Sequence, residues 1–429
     1  NWMGNDGVNR QPSPDCLRSI LAAMGLPCHT AGDMANSLAR LDQRERPGTL
    51  PPMICGWAGE PVVLPLEAST DTRFHLEHES GVRQDGLLGQ AENGRSMLPS
   101  LSTPGYHTLE CNGQQTILAI APRRCWTFAD VAGGERFWGT AAQTYGLFSN
   151  SGCKNMTDTS GPGTFGDLGI LAQQAARHGA DAVMMSLAHA LFHADPNHFS
   201  PYSPSSRFHY NPLLADPSVV FSQNRLQAVI VSMAAPSTLT LPAPGQLIDW
   251  PQSAAAKYDF LRALHTSFTT QEATHAGDAQ WMAFQAFKTN GGVSLFHHAL
   301  FEALHANQYQ QDFTRWHWRD WPQGLATPDA PQAVDFARDN ASEIDFHIFL
   351  QWLARTSLDA AQAFALDADM RVGLINDLAV GLNGGGSHAW SLQEDVLHGL
   401  AIGAPPDALA PRGQNWGLTT FAPFALRDN

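Results

Sequence analysis

The sequence predicts a multidomain α/β protein: a small helical plus antiparallel β N-terminal region, followed by a truncated (β/α)8 barrel with helical insertions. Three observations carry this expectation. Short β-rich runs broken by Gly, Pro and Asn cluster between residues 51 and 121. A strand–helix–strand order follows, which calls for parallel strands joined by a crossover. Long segments of helical periodicity then interrupt the alternation. Closure needs eight parallel strands and only about three convincing ones can be read, so truncation is expected. The expected segments are residues 1–45 (helical), 46–130 (β-rich) and 131–429 (incomplete barrel with a helical insertion).

The elements follow in chain order. Ser13-Pro14-Asp15 is a helix start, a capping Ser and then Pro at the first helical position. Leu17, Ile20, Leu21 and Met24 recur at helical spacing, and Gly25 stops the run. A second short helix is expected over residues 33–41. "MICGW", "PVVLPLE", "RFHLEHE", "YHTLEC" and "QTILAIAP" are then strands of an antiparallel domain, with Asn112-Gly113 as a hairpin turn. The polar, Gly-rich residues 83–99 read as a loop. Residues 137–148 read as a strand, 166–178 as an amphipathic helix and 182–187 as a buried strand. Helices are expected over 253–265, 293–305 and 342–368, the last with a capping box of Ser342 and Asp345. "RVGLINDLAVGL" reads as a strand of the buried parallel type, and the tail beyond Gly381 as loops.

Composition narrows the function. The 429 residues are 43% hydrophobic, enough for a large core, and carry a net charge of -15. An acidic surface argues against nucleic acid or an anionic membrane as partner. No apolar run approaches the ~20 residues of a membrane span. The first ten residues lack a signal-peptide pattern and do not open on an initiator Met, so an upstream piece is expected, and the scattered cysteines suit a cytoplasmic protein. Cys16, Cys28, Cys55, Cys111, Cys125 and Cys153 form no C-x-x-C pair and read as reduced, buried thiols. His297, His298 and His317 have no partners at ligand spacing, so no metal site and no cofactor are expected. The 12 tryptophans suit a sugar-handling protein, although core filling is the default for any one of them; Trp316, Trp318 and Trp321 read as inter-helix packing.

The most specific stretch is "GADAVMMSLAHALFHADPNHFSPYSPSSRFHYNPLLAD". With its Ser-Pro-Tyr-Ser-Pro-Ser-Ser-Arg run at residues 200–207, it closely resembles the 4-alpha-glucanotransferase (amylomaltase) family. "DLAVG" at 377–381 and "GAPPDALAPRGQNWGL" at 403–418 are further matches. "GYHTL", "APRRCW" and "LQWLA" match more weakly.

The resemblance implies transfer of α-1,4-glucan segments between maltodextrins by a retaining double displacement. Its nucleophile belongs to an Arg-Ile-Asp-His element on a later strand, with an acid/base Glu and a further Asp beyond, none of them in this chain. Ser342-Glu343-Ile344-Asp345 offers carboxylates on a helix rather than at a strand end and is set aside. The resemblance implies that Asp377, at a strand tip, faces the sugar beside the scissile bond as a catalytic group. Tyr202 is expected to stack on or hydrogen-bond the donor sugar, and Ser200 to bond a neighbouring one. Asp407, Gln414 and Trp416 would close over the acceptor, Trp416 as the platform; for Asp407, fixing the turn after Pro405-Pro406 is the competing role. His189 reads as a satisfied core histidine.

The chain departs from the family at Phe148, Thr164, Asn376 and Leu214, where Arg, an acidic residue, Arg and Tyr are usual. These departures keep alive a non-catalytic α-glucan-binding homologue. A hydrolase of the same clan is the other rival, opposed by the acceptor-loop motif.

Overall fold

The computed structural model describes residues 2–4, 7–44, 48–67, 71–91, 94–127, 129–130, 136–147, 162–233, 247–270 and 278–425. Two compact units result. One comprises Asn1–Thr127, Glu394–Gln414 and Phe421–Asn429, the other Phe128–Gln393 and Asn415–Thr420. The division follows spatial contacts rather than the three consecutive segments expected. No helix among the described residues is long and apolar enough to cross a membrane.

The first unit opens with a short antiparallel ladder, β1 (Trp2–Met3) with β2 (Asn9–Arg10). Helices α1 (Pro14–Ala23) and α2 (Ala31–Arg44) follow. Ser13 caps α1 through its side chain, with Pro14 at the first turn. The β-rich part comprises β3 (Met53–Trp57), β4 (Val62–Glu67), β5 (Arg73–Glu77), β6 (Arg83–Leu87), β7 (Gly89–Gln90), β8 (Arg95–Leu98), β9 (Gly105–Cys111) and β10 (Gln114–Ala121). They form two sheets, β3-β10-β9-β5-β6 and β4-β8-β7. Alternate residues of both sheets (Leu64, Leu66, Phe74, Leu76, Leu98, Leu109, Leu118 and Ile120) make one shared core.

Three readings are corrected here. Residues 83–99 hold β6, β7 and β8 instead of a loop, because cross-strand bonds with β5 and β4 order a polar segment that lacks hydrophobic alternation. The domain is not wholly antiparallel, since β3 pairs parallel with β10. Nor are the thiols buried: of the five described cysteines, all free, only Cys111 is. Cys153 lies outside the described residues.

In the second unit β11 (Gly139–Ala142), α3 (Phe165–Arg177) and β12 (Ala182–Met185) form the expected parallel crossover unit. β12 also pairs with β15 (Gly373–Asn376), giving the parallel order β11-β12-β15. Between them lie β13 (His189–Ala190) and β14 (Ser206–Tyr210), an antiparallel pair. Helices α4 (Gln223–Ser232), α5 (Trp250–Thr269), α6 (Ala279–Gln311), α7 (Pro331–Asp339) and α8 (Ala341–Asp367) make the helical excursion. After β15 come β16 (Leu382–Asn383) and the short helix α9 (Ser387–Ser391). Of the last strands, β17 (Ile402–Ala404) belongs to the first unit, while β18 (Gln414–Thr419) runs antiparallel to β16.

Helix α8 is buried on most of its circumference; its Phe349 and Trp352 pack with Phe268 and Phe284 of α5 and α6, and its Phe346 meets His265 of α5. Trp318 and Trp321 are core residues, as expected. The capping box expected at Ser342 and Asp345 does not form. The cap of α8 falls at Asn340 instead of Ser342, and Asp345 meets Lys288 and His265 from neighbouring helices.

Candidate functional site

The three parallel strands end in register at Ala142, Met185 and Asn376. Their opposite ends are fastened by Asp181, which accepts from Arg371 and from the Trp138 N–H. These bonds, the Arg371 one first, hold its carboxyl below the usual range. Asp377 follows β15 directly, so its position at a strand tip comes from the register itself.

The loop behind Asp377 is held by His189. Its Nε2 accepts from the Ala379 N–H at 3.2 Å. Burial lowers the His189 pKa, the Arg207 charge adds to this, and the Asp377 carboxylate opposes it. A neutral imidazole is thus fixed beside Asp377, with one ring nitrogen spent on the loop backbone. The hydrogen bond satisfies His189 as expected, but the ring is half-buried at the strand tips and not in the core.

The Ser-Pro-Tyr loop is stiffened by a turn in which the Ser203 N–H donates to the Ser200 carbonyl at 3.2 Å. Pro204 is buried and Tyr202 is 66% exposed. Asn383 joins this loop to the segment after Asp377: its Nδ2 donates to Ser203 Oγ at 3.2 Å and its N–H to the Pro204 carbonyl at 2.8 Å. Further on, the Ser387 N–H donates to Ser205 Oγ at 2.9 Å, and the Ser387 hydroxyl meets His298 Nδ1 at 2.8 Å. Asn383 also pairs with Leu418, and Leu382 with Thr419, so β16 carries β18 on its other edge. Trp416, on β18, is 47% exposed.

Asn383 therefore ties together the segments bearing Asp377, Tyr202 with Ser200, and Trp416. It was not singled out in the sequence, although an Asn between a strand end and three glycines is a turn signal. Asp407 and Gln414 fall in the first unit. Asp407 Oδ1 accepts from the Leu409 and Ala410 N–H groups at 2.8 and 2.6 Å, the turn-fixing role that competed with sugar contact.

The departures separate. Phe148 lies outside the described residues. Thr164 caps α3: its hydroxyl accepts from the Asp167 N–H, and Asp167 returns a bond to the Thr164 N–H at 2.8 Å. Leu214 is buried in the core, and Asn376 is the exposed last residue of β15. Glu343 and Asp345, set aside above, are committed elsewhere. Arg262 grips Glu343 with bonds of 2.6 and 2.8 Å. Burial works to raise the Glu343 pKa, but His347 and Arg262 hold it well below the usual range. Among the described residues no group of three or more His, Cys, Asp or Glu is placed to hold a metal ion.

Comparison with known proteins adds a family. Residues 155–429 match the model of the 4-alpha-glucanotransferase family. A 4-alpha-glucanotransferase of Mycobacterium tuberculosis is 30% identical over 100% of this chain and 60% of its own length. One of Haemophilus influenzae is 28% identical over 85% of this chain and 52% of its own. The crystal structure of amylomaltase from Corynebacterium glutamicum superposes with a TM-score of 0.74 at 26% identity, covering 100% of this chain and 59% of that one. The chain thus spans about 60% of the length of its mycobacterial relatives.

Proposed function

Since the chain belongs to the 4-alpha-glucanotransferase family, we propose that the protein moves α-1,4-glucan segments from one maltodextrin to another through a retaining, two-step displacement. What carries the reading within the molecule is that Asn383, on the segment that follows Asp377, bonds to the Ser-Pro-Tyr loop and pairs with the Trp416 strand. Asp377 would accept hydroxyl hydrogen bonds and stabilise positive charge developing on the ring. Tyr202 and Trp416 offer exposed aromatic faces for pyranose rings on the donor and acceptor sides. Ser200 would bond a donor-side hydroxyl. Asp407 and Gln414 would support the acceptor loop, Asp407 by holding its turn.

We assign the nucleophile and the acid/base to none of this chain's carboxylates. Glu343 and Asp345 are ion-paired on a helix, and Glu302 is buried among helices. The (β/α)8 barrel is accordingly read as incomplete within these residues. The partners are maltodextrins, and the compartment is taken as the cytoplasm.

The test uses the full-length protein and maltotriose. Asp377→Asn should lower kcat by ~10²–10³ with little change in melting. Trp416→Ala should instead raise the acceptor KM by roughly tenfold. An Asp377→Asn enzyme within about twofold of wild type would sink the assignment.

A further inference from the structure

We propose that the second unit carries a separate pocket for a single terminal glucosyl unit, walled by Phe208, His209, Ser294, His297, His298 and His388. Its choice of ligand rests on the glucan reading above. The cavity has a volume of about 110 Å³, below the ~300 Å³ and more of pockets that enclose a whole ligand, so it would take one end of a sugar and not a chain.

Three elements build it. β14 brings Ser206, Phe208 and His209; α6 brings Ser294, His297 and His298; α9 brings Ser387, His388 and Ser391. The helical course of α6 breaks at Gly292 (φ 52°, ψ -146°), so a new helical run starts at Val293 on the cavity wall. The polar groups are held in place. Ser206 Oγ lies 3.2 Å from His209 Nδ1, and Ser387 Oγ lies 2.8 Å from His298 Nδ1.

The chemistry selects a neutral polyol. No lysine or arginine lines the cavity. Burial pushes His209 down to about 4 and His298 well below its ordinary value, while His297 is lowered too. These imidazoles are therefore uncharged at neutral pH, and since serines hold the Nδ1 atoms of His209 and His298, each of those two rings keeps one nitrogen to donate to or accept from a ligand. Serine hydroxyls also do both, and so do sugar hydroxyls. An anion would find no fixed positive charge. A metal is disfavoured because the His209 and His298 rings stack face to face at 4.1 Å, each with its Nδ1 engaged by a serine. Phe208, 60% exposed and 4.4 Å from the His388 ring, supplies an apolar face.

Binding of glucose and maltose to the purified chain, read by saturation-transfer NMR, tests this. Phe208→Ala and Ser294→Trp both fall at exposed positions, and unchanged melting certifies the fold. Each should weaken binding by about fivefold or more, while a component sensitive to Trp416→Ala persists. Phe208→Trp should retain binding. If both pocket variants titrate like wild type, or if Trp416→Ala abolishes all binding, the pocket is refuted and the transferase reading stands. Absence of any binding to the wild-type chain also refutes the pocket, whereas the transferase reading is judged separately by Asp377→Asn in the full-length enzyme.

Discussion

A methyl group on Gly386 would sit 2.4 Å from the Ser205 carbonyl oxygen and 2.5 Å from its Cα. Backbone meets backbone there, because α9 must start where Ser205 can accept from the Ser387 and His388 N–H groups. Gly386→Ala should therefore cost about 1–3 kcal/mol, lower the melting temperature and weaken maltodextrin binding. A variant that melts and binds like wild type would show the approach to be unimportant. At this scale some roles were legible and others misread. Asp377 is named by its motif and by its place after a strand. Thr164 looked like a lost acidic group, yet the Thr-x-x-Asp spacing describes a capping box that forms. His189 and Asn383 bond to segments about 180–190 residues away, and nothing local marks such partners.

Helix α8 works as a polar template as well as a core. Gln351 pairs with both backbone groups of Tyr210 in β14, at 2.9 Å each. Ser357 receives the Asp216 N–H at 3.0 Å and donates to its carbonyl at 3.1 Å. The helix thereby finishes the hydrogen bonding of the segment that carries Phe208 and His209. Gln351→Ala would leave two partly buried backbone groups without this partner and should cost ~1–3 kcal/mol, whereas Gln351→Glu should lose chiefly the bond to the Tyr210 carbonyl. Denaturant midpoints of the two variants check this, and equal midpoints would refute the template role. The helix itself was legible over 342–368 from its period; the surface it serves was not, since a fully wrapped helix has no distinguishing stripe.

For the whole molecule, two sets of buried groups pull stability in opposite directions with pH. Burial pushes Glu302 up to about 8, partly offset by the His193 N–H. Against an unfolded value of about 4.3, its contribution is full below that pH and is lost as pH rises towards the folded value. Burial pushes His209 and His305 down to about 4. Their contribution is full above the unfolded value of about 6.5 and is lost as pH falls. Stability should peak near the unfolded histidine value of about 6.5, and Glu302→Gln should flatten the decline above that pH and steepen the rise below it. Urea midpoints from about pH 4 to about pH 9 read this out, and parallel curves for the two proteins would refute it. The sequence by itself determined the periods of the long helices, the cap of α1, the Asn-Gly hairpin, the parallel crossover and the family, because dihedral preference and hydrophobic period act over a few residues. Tertiary structure alone decided that β3 lies parallel to β10, that β6, β7 and β8 are strands instead of a loop, that residues 394–414 join the N-terminal unit, and that Asn383 gathers the candidate site. Those are choices among distant partners, set by which backbone groups and apolar faces are left to be satisfied once the chain has collapsed.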